Sequence, residues 1–282
     1  MKFFIYLHRS VSDPSFYGEV LGFRAGRAVW FIVRLALIVA LLDGFLQARR
    51  AADADNGVPS VMPRVFPGMA IRDASLDPGR PTPWAPAPQY VARLMSLLAA
   101  EPDAAIGVPD SFIVIDTSRG AYSVDNPSKR FVFTSDALVV NLSPLRPYVV
   151  PYSVFFPRGE SLEFTRSAVT GFLKRRFVEV VVFFSLQHGL ALGLNVAFAV
   201  LFLAFAAYIF RSDRAQRYRT WLKAACFAVS PMPVGRALVA LSGTRAEWVW
   251  QVSIVVSTFV MFRAVRFISQ DGQREGDGGT EQ

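Results

Sequence analysis

A membrane α-helical bundle of about four transmembrane helices, with an inserted extracytoplasmic α+β domain of mainly antiparallel strands, is the fold class the sequence predicts. Three observations predict it. The 282-residue chain is 52% hydrophobic with a mean hydropathy of +0.34, where a soluble domain of this length comes out slightly polar. The apolar excess is gathered into blocks of span length. The short stretches beside those blocks are rich in arginine, and that bias orients the chain across a bilayer.

Residues 1–27 read as a cytoplasmic N-terminal amphipathic segment. Asp13 before Pro14 resembles an N-cap followed by proline at the first helical position, and Phe16, Val20 and Phe23 then share one stripe. The expected product is a helix lying on the inner membrane surface that leads into the first span. Residues 28–46 form transmembrane helix 1, long enough at about 1.5 Å per residue to cross most of a hydrocarbon core of about 30 Å. Its polar flank is long and no small-residue cleavage site follows, so a retained anchor is expected rather than a removed signal peptide.

Residues 47–170 make up the extracytoplasmic α+β domain. Strands are predicted at 69–74, 112–116, 121–124, 131–134, 138–141 and 148–150, with Ser118-Arg-Gly120 and Asp125-Asn-Pro127 as turns. Asp77 to Pro88, with five prolines, reads as an extended, polyproline-like connector. Gln89 to Ala100 places Val91, Leu94, Met95 and Leu98 on one helical face. Ser161 to Arg176 reads as a helix with Glu160 and Glu163 at its start and Lys174, Arg175 and Arg176 at its end, matched to the helix dipole.

Residues 171–267 hold transmembrane helices 2–4. The block 177–210 contains only Glu179 and His188 as ionisable groups, and its length alone fits one long helix or a tight pair. The next stretch, with Arg211, Arg214, Arg217, Arg219 and Lys223, belongs in the cytoplasm. With Arg24 and Arg27 holding the N-terminus inside, the block must cross an odd number of times, which selects one long helix spanning at about Gly189 to Phe210. A third block, Trp221–Leu241, and a fourth, Trp248–Phe262, form a hairpin around residues 242–247, with Trp248 and Trp250 at the outer interface and Arg263 and Arg266 at the inner one. Pro231 and Pro233 break the hydrogen-bond ladder of the third span and bend it. Both termini then lie in the cytoplasm of a bacterial cell, and residues 268–282 form a disordered tail.

Ser185, Gly189, Gly193 and Ala197 recur every four residues and suit close helix packing, against a neighbour in the same chain, a membrane protein partner or a homo-oligomer. Ionisable groups inside apolar blocks are costly, so Arg34, Asp43, His188 and Arg236 each need a partner or a route to the headgroups. Arg34 can extend to the inner headgroups, whereas Asp43 and Arg236, both near outer span ends, are expected to pair. In the outer domain, Ile113-Val-Ile-Asp116-Thr117-Ser118 resembles the apolar-apolar-Asp-Thr-Gly element of aspartic proteases, where two carboxylates share a proton. The element occurs once, with serine in place of glycine, and a strand ending in an Asx turn accounts for Asp116 and Thr117 without catalysis.

Catalytic, cofactor-binding and metal-binding residues are not expected. Cys226 is the sole cysteine, so no intramolecular disulfide can form, and His8 and His188 lie far from any second ligand in sequence. The formal charge of +8 is spread beside apolar blocks, which argues for a lipid bilayer as partner and against nucleic acid.

The order of Ser12-Asp-Pro-Ser-Phe16-Tyr17 before the first span, an outer strand ending in Asp116-Thr117, and a C-terminal bundle with proline in its third span resembles the bacterial membrane proteins grouped as domain-of-unknown-function family 1189, which includes MalA-like proteins. The resemblance covers most of residues 10–265 and implies the topology. The Pro-rich connector and the preference for Arg over Lys depart from that family's usual members. The family has no agreed activity, so it supplies no catalytic residues. The expected role is therefore non-enzymatic: an outer domain that binds or senses a ligand, or docks a protein. The alternatives are a transporter accessory subunit or small transporter, and a membrane hydrolase acting through Asp116.

Overall fold

The computed structural model describes residues 2–98, 112–118, 131–141, 147–156, 159–210, 217–242 and 247–277. The predicted strand 121–124, the Asp125-Asn-Pro127 turn, most of the arginine-rich stretch after residue 210 and the turn at 243–246 fall outside those residues. The chain divides into two units, Met1–Leu46 with Val181–Gln282, and Gln47–Val180.

Among the described residues, four helices are long and apolar enough to cross a membrane: Ala25–Ala51, Phe177–Phe210, Tyr218–Ser242 and Trp248–Gln270. In the first unit two short helices precede them, α1 (Lys2–Ser12) and α2 (Phe16–Leu21). The first span is α3 (Ala25–Ala51), longer at both ends than the apolar block it contains. In the described helices alanines pack buried positions beside a few large rings, and many large apolar side chains face outward. Ala204, Ala224, Ala225, Ala228 and Ala264 are fully buried, while Leu37, Leu41, Phe198, Phe202, Val255, Phe259 and Phe262 are exposed, the distribution a bilayer rewards.

The N-terminal segment departs from its expected form. Ser15, not Asp13, is the N-cap of α2, and Asp13 Oδ1 instead accepts hydrogen bonds from Ser15 N (3.0 Å) and Ser15 Oγ (2.5 Å). The serine hydroxyl, with Arg9 alongside, holds the Asp13 carboxyl below its ordinary pKa. Phe16 and Val20 do not face lipid: both are fully buried, with the Phe16 ring 5.2 Å from that of Phe227. The rings of Tyr6, Phe16, Phe23 and Phe31 gather around Phe227 of the third span. The apolar outward surface of this segment belongs to α1, whose Phe4, Ile5 and Val11 are exposed.

The block 177–210 is one continuous helix, α7. The third span is two helices, α8 (Tyr218–Ala228) and α9 (Pro231–Ser242). Proline lacks the N–H that would bond four residues back, so the carbonyls of Phe227 and Val229 accept instead from Ser230 N (3.1 Å) and Met232 N (3.0 Å). Ser230 Oγ lies 3.0 Å from Ser10 Oγ of α1, and Lys223 Nζ donates to the carbonyls of Leu21 and Phe23 at the end of α2. The fourth span, α10, runs Glu247–Asp277, so residues 268–277 continue a helix rather than opening a disordered tail. Ile268, 1% exposed, anchors that extension in the core.

In the second unit, α4 (Val58–Val65), α5 (Pro88–Leu98) and α6 (Arg166–Arg175) accompany two small sheets. The first has the order β2-β1-β7, from β1 (Ala70–Arg72), β2 (Ser75–Asp77) and β7 (Ser161–Glu163), all antiparallel, with Ile71 facing Leu76 on one side and Leu162 on the other. The second has the order β3-β4-β5-β6, from β3 (Ile113–Ile115), β4 (Phe131–Phe133), β5 (Ala137–Val140) and β6 (Tyr148–Pro151). Its β3–β4 pairing is parallel and the other two are antiparallel. Phe66, 1% exposed, joins the sheets, its ring 5.3 Å from Phe133 and 5.5 Å from Phe164.

Four differences from the predicted elements have local causes. Residues 161–163 are strand rather than helix, because Leu162 and Phe164 alternate inward with Ser161 and Glu163 outward, a period of two. The helix starts later, capped by Thr165 Oγ1, which accepts from Ala168 N (3.4 Å). Glu160 and Glu163 therefore pair with Arg176 (3.2 Å) and Arg72 (3.3 Å) rather than with a helix dipole. Helix α4 was not foreseen; Pro59 sits in its first turn, where no N–H is needed, and Val58, Val61 and Val65 bury one face. The connector 77–88 is not extended throughout: Asp77 ends β2, Gly79 has φ +68°, and Trp84 forms an antiparallel bridge with Ile115.

Residues 73 and 74, expected at the end of a strand, form the two-residue β1–β2 turn, with φ of +49° at Asp73 and +61° at Ala74. Alanine in the left-handed region costs about 1–2 kcal/mol. Ala74→Gly is therefore expected to raise the thermal midpoint of the full chain, by less than that figure implies because glycine also loosens the unfolded chain. An unchanged or lowered midpoint would contradict the strain assigned to this turn.

Candidate functional site

Asp43 on α3, His188 on α7 and Arg236 on α9 meet inside the helical unit. The approach of α3 to α7 is set by two pairs of small residues, Ala40 with Gly44 and Ser185 with Gly189, each spaced four apart. A Cβ on Gly44 would collide with Ser185 Oγ and lie 2.5 Å from the Ser185 backbone N, and one on Gly189 would lie 3.2 Å from Ala40 Cβ. Helix α9 is held by a second close approach, since a Cβ on Gly235 would collide with Ser253 Oγ of α10. The restart of the helix at Pro231 then puts Arg236 across from Asp43.

Arg236 Nε donates to Asp43 Oδ2 at 2.8 Å. His188 Nδ1 lies 3.5 Å from the same oxygen and 3.4 Å from Arg236 Nη2. The side chains of His188 and Asp43 are 6% and 12% exposed, against 36% for Arg236, so the first two groups are enclosed and Arg236 closes the cluster from its edge. Among the described residues His188 Nε2 is buried with no hydrogen-bond partner, as are Ser185 Oγ and Gln187 Oε1 on the same helix. Such orphaned atoms beside a charged pair mark a place where polarity exceeds what packing consumes.

The structure thus brings Asp43 and Arg236 together and adds His188, whose part in the cluster had no sequence signal beyond an ionisable group in an apolar block. The four-residue stripe is used only in part. Ser185 and Gly189 contact α3, but among the described residues nothing lies within 4 Å of a Cβ added at Gly193, and Ala197 is exposed. Each four-residue step turns about 40° beyond a full revolution, so Ala197 sits about 120° round from Ser185. The buried face of α7 instead follows Ser185, Leu192, Val196, Leu203 and Ala207. Arg34 lies with its guanidinium 5.2 Å from the Trp30 ring centroid.

In the second unit, Asp116 Oδ1 accepts from Ser118 N (3.2 Å) and Ser118 Oγ (2.5 Å), an Asx turn at the end of β3. Thr117 Oγ1 lies 3.2 Å from Thr82 Oγ1, and Arg80 stacks 3.5 Å over the ring of Trp84. This end of the sheet therefore gathers three hydroxyls, a carboxylate and a cation on an indole. Elsewhere in the unit, Glu179 and then Glu160 raise the pKa of half-buried Arg176, and burial raises that of Tyr152, whose hydroxyl donates to Thr134 O at 3.1 Å. Among the described residues no group of three or more His, Cys, Asp or Glu is placed to hold a metal ion, and Cys226 is a buried free thiol.

Comparison of the chain with protein-family models, with curated proteins and with solved structures yields no match.

Proposed function

We propose that this chain is a non-enzymatic, multi-pass protein of a bacterial cytoplasmic membrane, with both termini in the cytoplasm and residues 47–170 outside, where they bind or sense a ligand or dock a protein partner. The helical unit is its anchor. The observation that carries this reading is how the helical unit uses its interior. Phe16, Tyr17, Val20, Trp221, Ala224, Ala225 and Phe227, all at most 1% exposed, fill its core, and its buried carboxylate is neutralised by its own arginine.

The other unit presents exposed side chains of its own. Arg80 on Trp84 lies beside the Thr82–Thr117 pair, and Tyr148, Val154 and Phe155 are exposed by 61%, 66% and 55%. Recognition there is by side chains rather than by adding a strand. On edge strand β6 the residues facing away from β5 are Val149 and Pro151, with Pro147 ahead of them, and proline offers no N–H to an incoming strand. The resemblance to family 1189 and the arginines after residue 210 support the same orientation.

Cysteine labelling tests the orientation. With Cys226 replaced by Ser, a cysteine at the exposed Ser75 of β2 (Ser75→Cys) is expected to react with a membrane-impermeant maleimide on intact cells, and Gln216→Cys only after permeabilisation. The opposite pattern would overturn the reading. A transporter accessory or small transporter is the second reading, favoured by the Asp43–His188–Arg236 cluster. Uptake or efflux by the purified protein alone in liposomes would establish it over the first, whereas stable co-purification with a partner supports docking. A hydrolase acting through Asp116 is abandoned if Asp116→Asn leaves the cellular phenotype intact.

A further inference from the structure

We infer that the Asp43–His188–Arg236 cluster is a proton-binding site in which a protonated His188 and the Arg236 guanidinium compete to neutralise Asp43. His188 Nδ1 has two neighbours of opposite kind at nearly equal range: a donor, Arg236 Nη2, at 3.4 Å and an acceptor, Asp43 Oδ2, at 3.5 Å. Both separations exceed the usual hydrogen-bond range of about 2.7–3.2 Å. The nitrogen is therefore committed to neither. As an unprotonated acceptor it faces the guanidinium, and as an N–H donor it faces the carboxylate.

Charge decides what accompanies the change. The charged groups set against His188 are Asp43 from α3 and Arg236 from α9. With His188 neutral, Asp43 and Arg236 cancel. A proton added to Nδ1 while Arg236 stayed would leave a net positive charge in a water-poor interior, which is costly. If Arg236 withdraws, the imidazolium takes over as counter-ion and the enclosed pair is again neutral. Arg236, the one member of the three with more than a third of its side chain exposed, lies in the last two turns of α9 before Ser242, from where a long side chain can extend to the headgroups. In balance, one proton passes from water to His188 Nδ1, the new N–H donates to Asp43 Oδ2, and the Arg236 Nε–H bond to that oxygen is broken without loss of its proton.

The chain has only two histidines, so the site can be read directly. The full chain carrying His8→Gln, with ¹⁵N-labelled histidine and in phospholipid nanodiscs, is titrated from about pH 8 to 5, the range in which histidine ordinarily changes charge. The His188 ring is expected to pass from one protonated nitrogen to two. In Arg236→Gln the half-conversion should move upward by about 1–3 pH units, and in Asp43→Asn downward. A His188 ring that stays neutral across the range, or an Arg236→Gln titration no higher than that of the parent, overturns the proposal. Should Arg236→Gln give poor spectra, its thermal midpoint is compared with that of Arg236→Gln/His188→Gln at pH 8 and pH 5.5. The single variant should recover on acidification and the double should not; equal pH dependence refutes the competition.

Discussion

Arg236→Gln is expected to cost about 3–5 kcal/mol of stability at pH 8, the range for removing one partner of a buried pair and stranding the other charge. The stranded group is Asp43, 12% exposed and bonded through Oδ2 to Arg236 Nε at 2.8 Å. Asp43→Asn should cost less, because it leaves behind the more exposed partner. The double variant should cost less than the sum of the two, by about 0.5–3 kcal/mol, since neither remaining group then faces an unmatched charge. Simple additivity of the three losses would remove the pairing, whatever the orientation of the chain.

Gly44→Ala is the second large effect. Its new methyl would sit 2.5 Å from the backbone N and 2.7 Å from the Cα of Ser185, and backbone cannot rotate out of the way as a side chain can. Helices α3 and α7 must separate, at a cost of about 1–3 kcal/mol. Gly193→Ala is the matched control from the same stretch of sequence. Among the described residues nothing lies within 4 Å of its added methyl, and the gain in helix propensity should leave it neutral or up to about 1 kcal/mol more stable. Equal thermal midpoints for the two variants in the same detergent would show that the Ala40–Gly44 and Ser185–Gly189 contact is not the seam between these helices.

Much of the candidate site was legible because the bilayer penalises charge so strongly. An Asp and an Arg near the same ends of two apolar blocks have few ways to be tolerated, and pairing is the simplest. His188 was visible as an anomaly and not as a member, because membership depends on which face of α7 meets α3. That rotation is set by a core pattern averaging near 3.6 residues, not by the conspicuous four-residue repeat that ends in Gly193 and Ala197. In the second unit the strands built from β-branched runs were legible, whereas Ser161–Glu163 was missed because the neighbouring charges suggested a dipole-matched helix. The alternation of Leu162 and Phe164 was the better signal.

By itself the sequence determined the apolar blocks, their number and the places where proline must interrupt a helix, because hydrocarbon thickness and the missing proline N–H act on each segment alone. Only the tertiary structure decided that Phe16 and Val20 turn into protein rather than lipid, that β3 pairs in parallel with β4, and that three ionisable groups from three helices meet at one point. Those outcomes depend on which hollows and faces distant segments present to one another, and a one-dimensional pattern of polarity carries no record of its partner's shape.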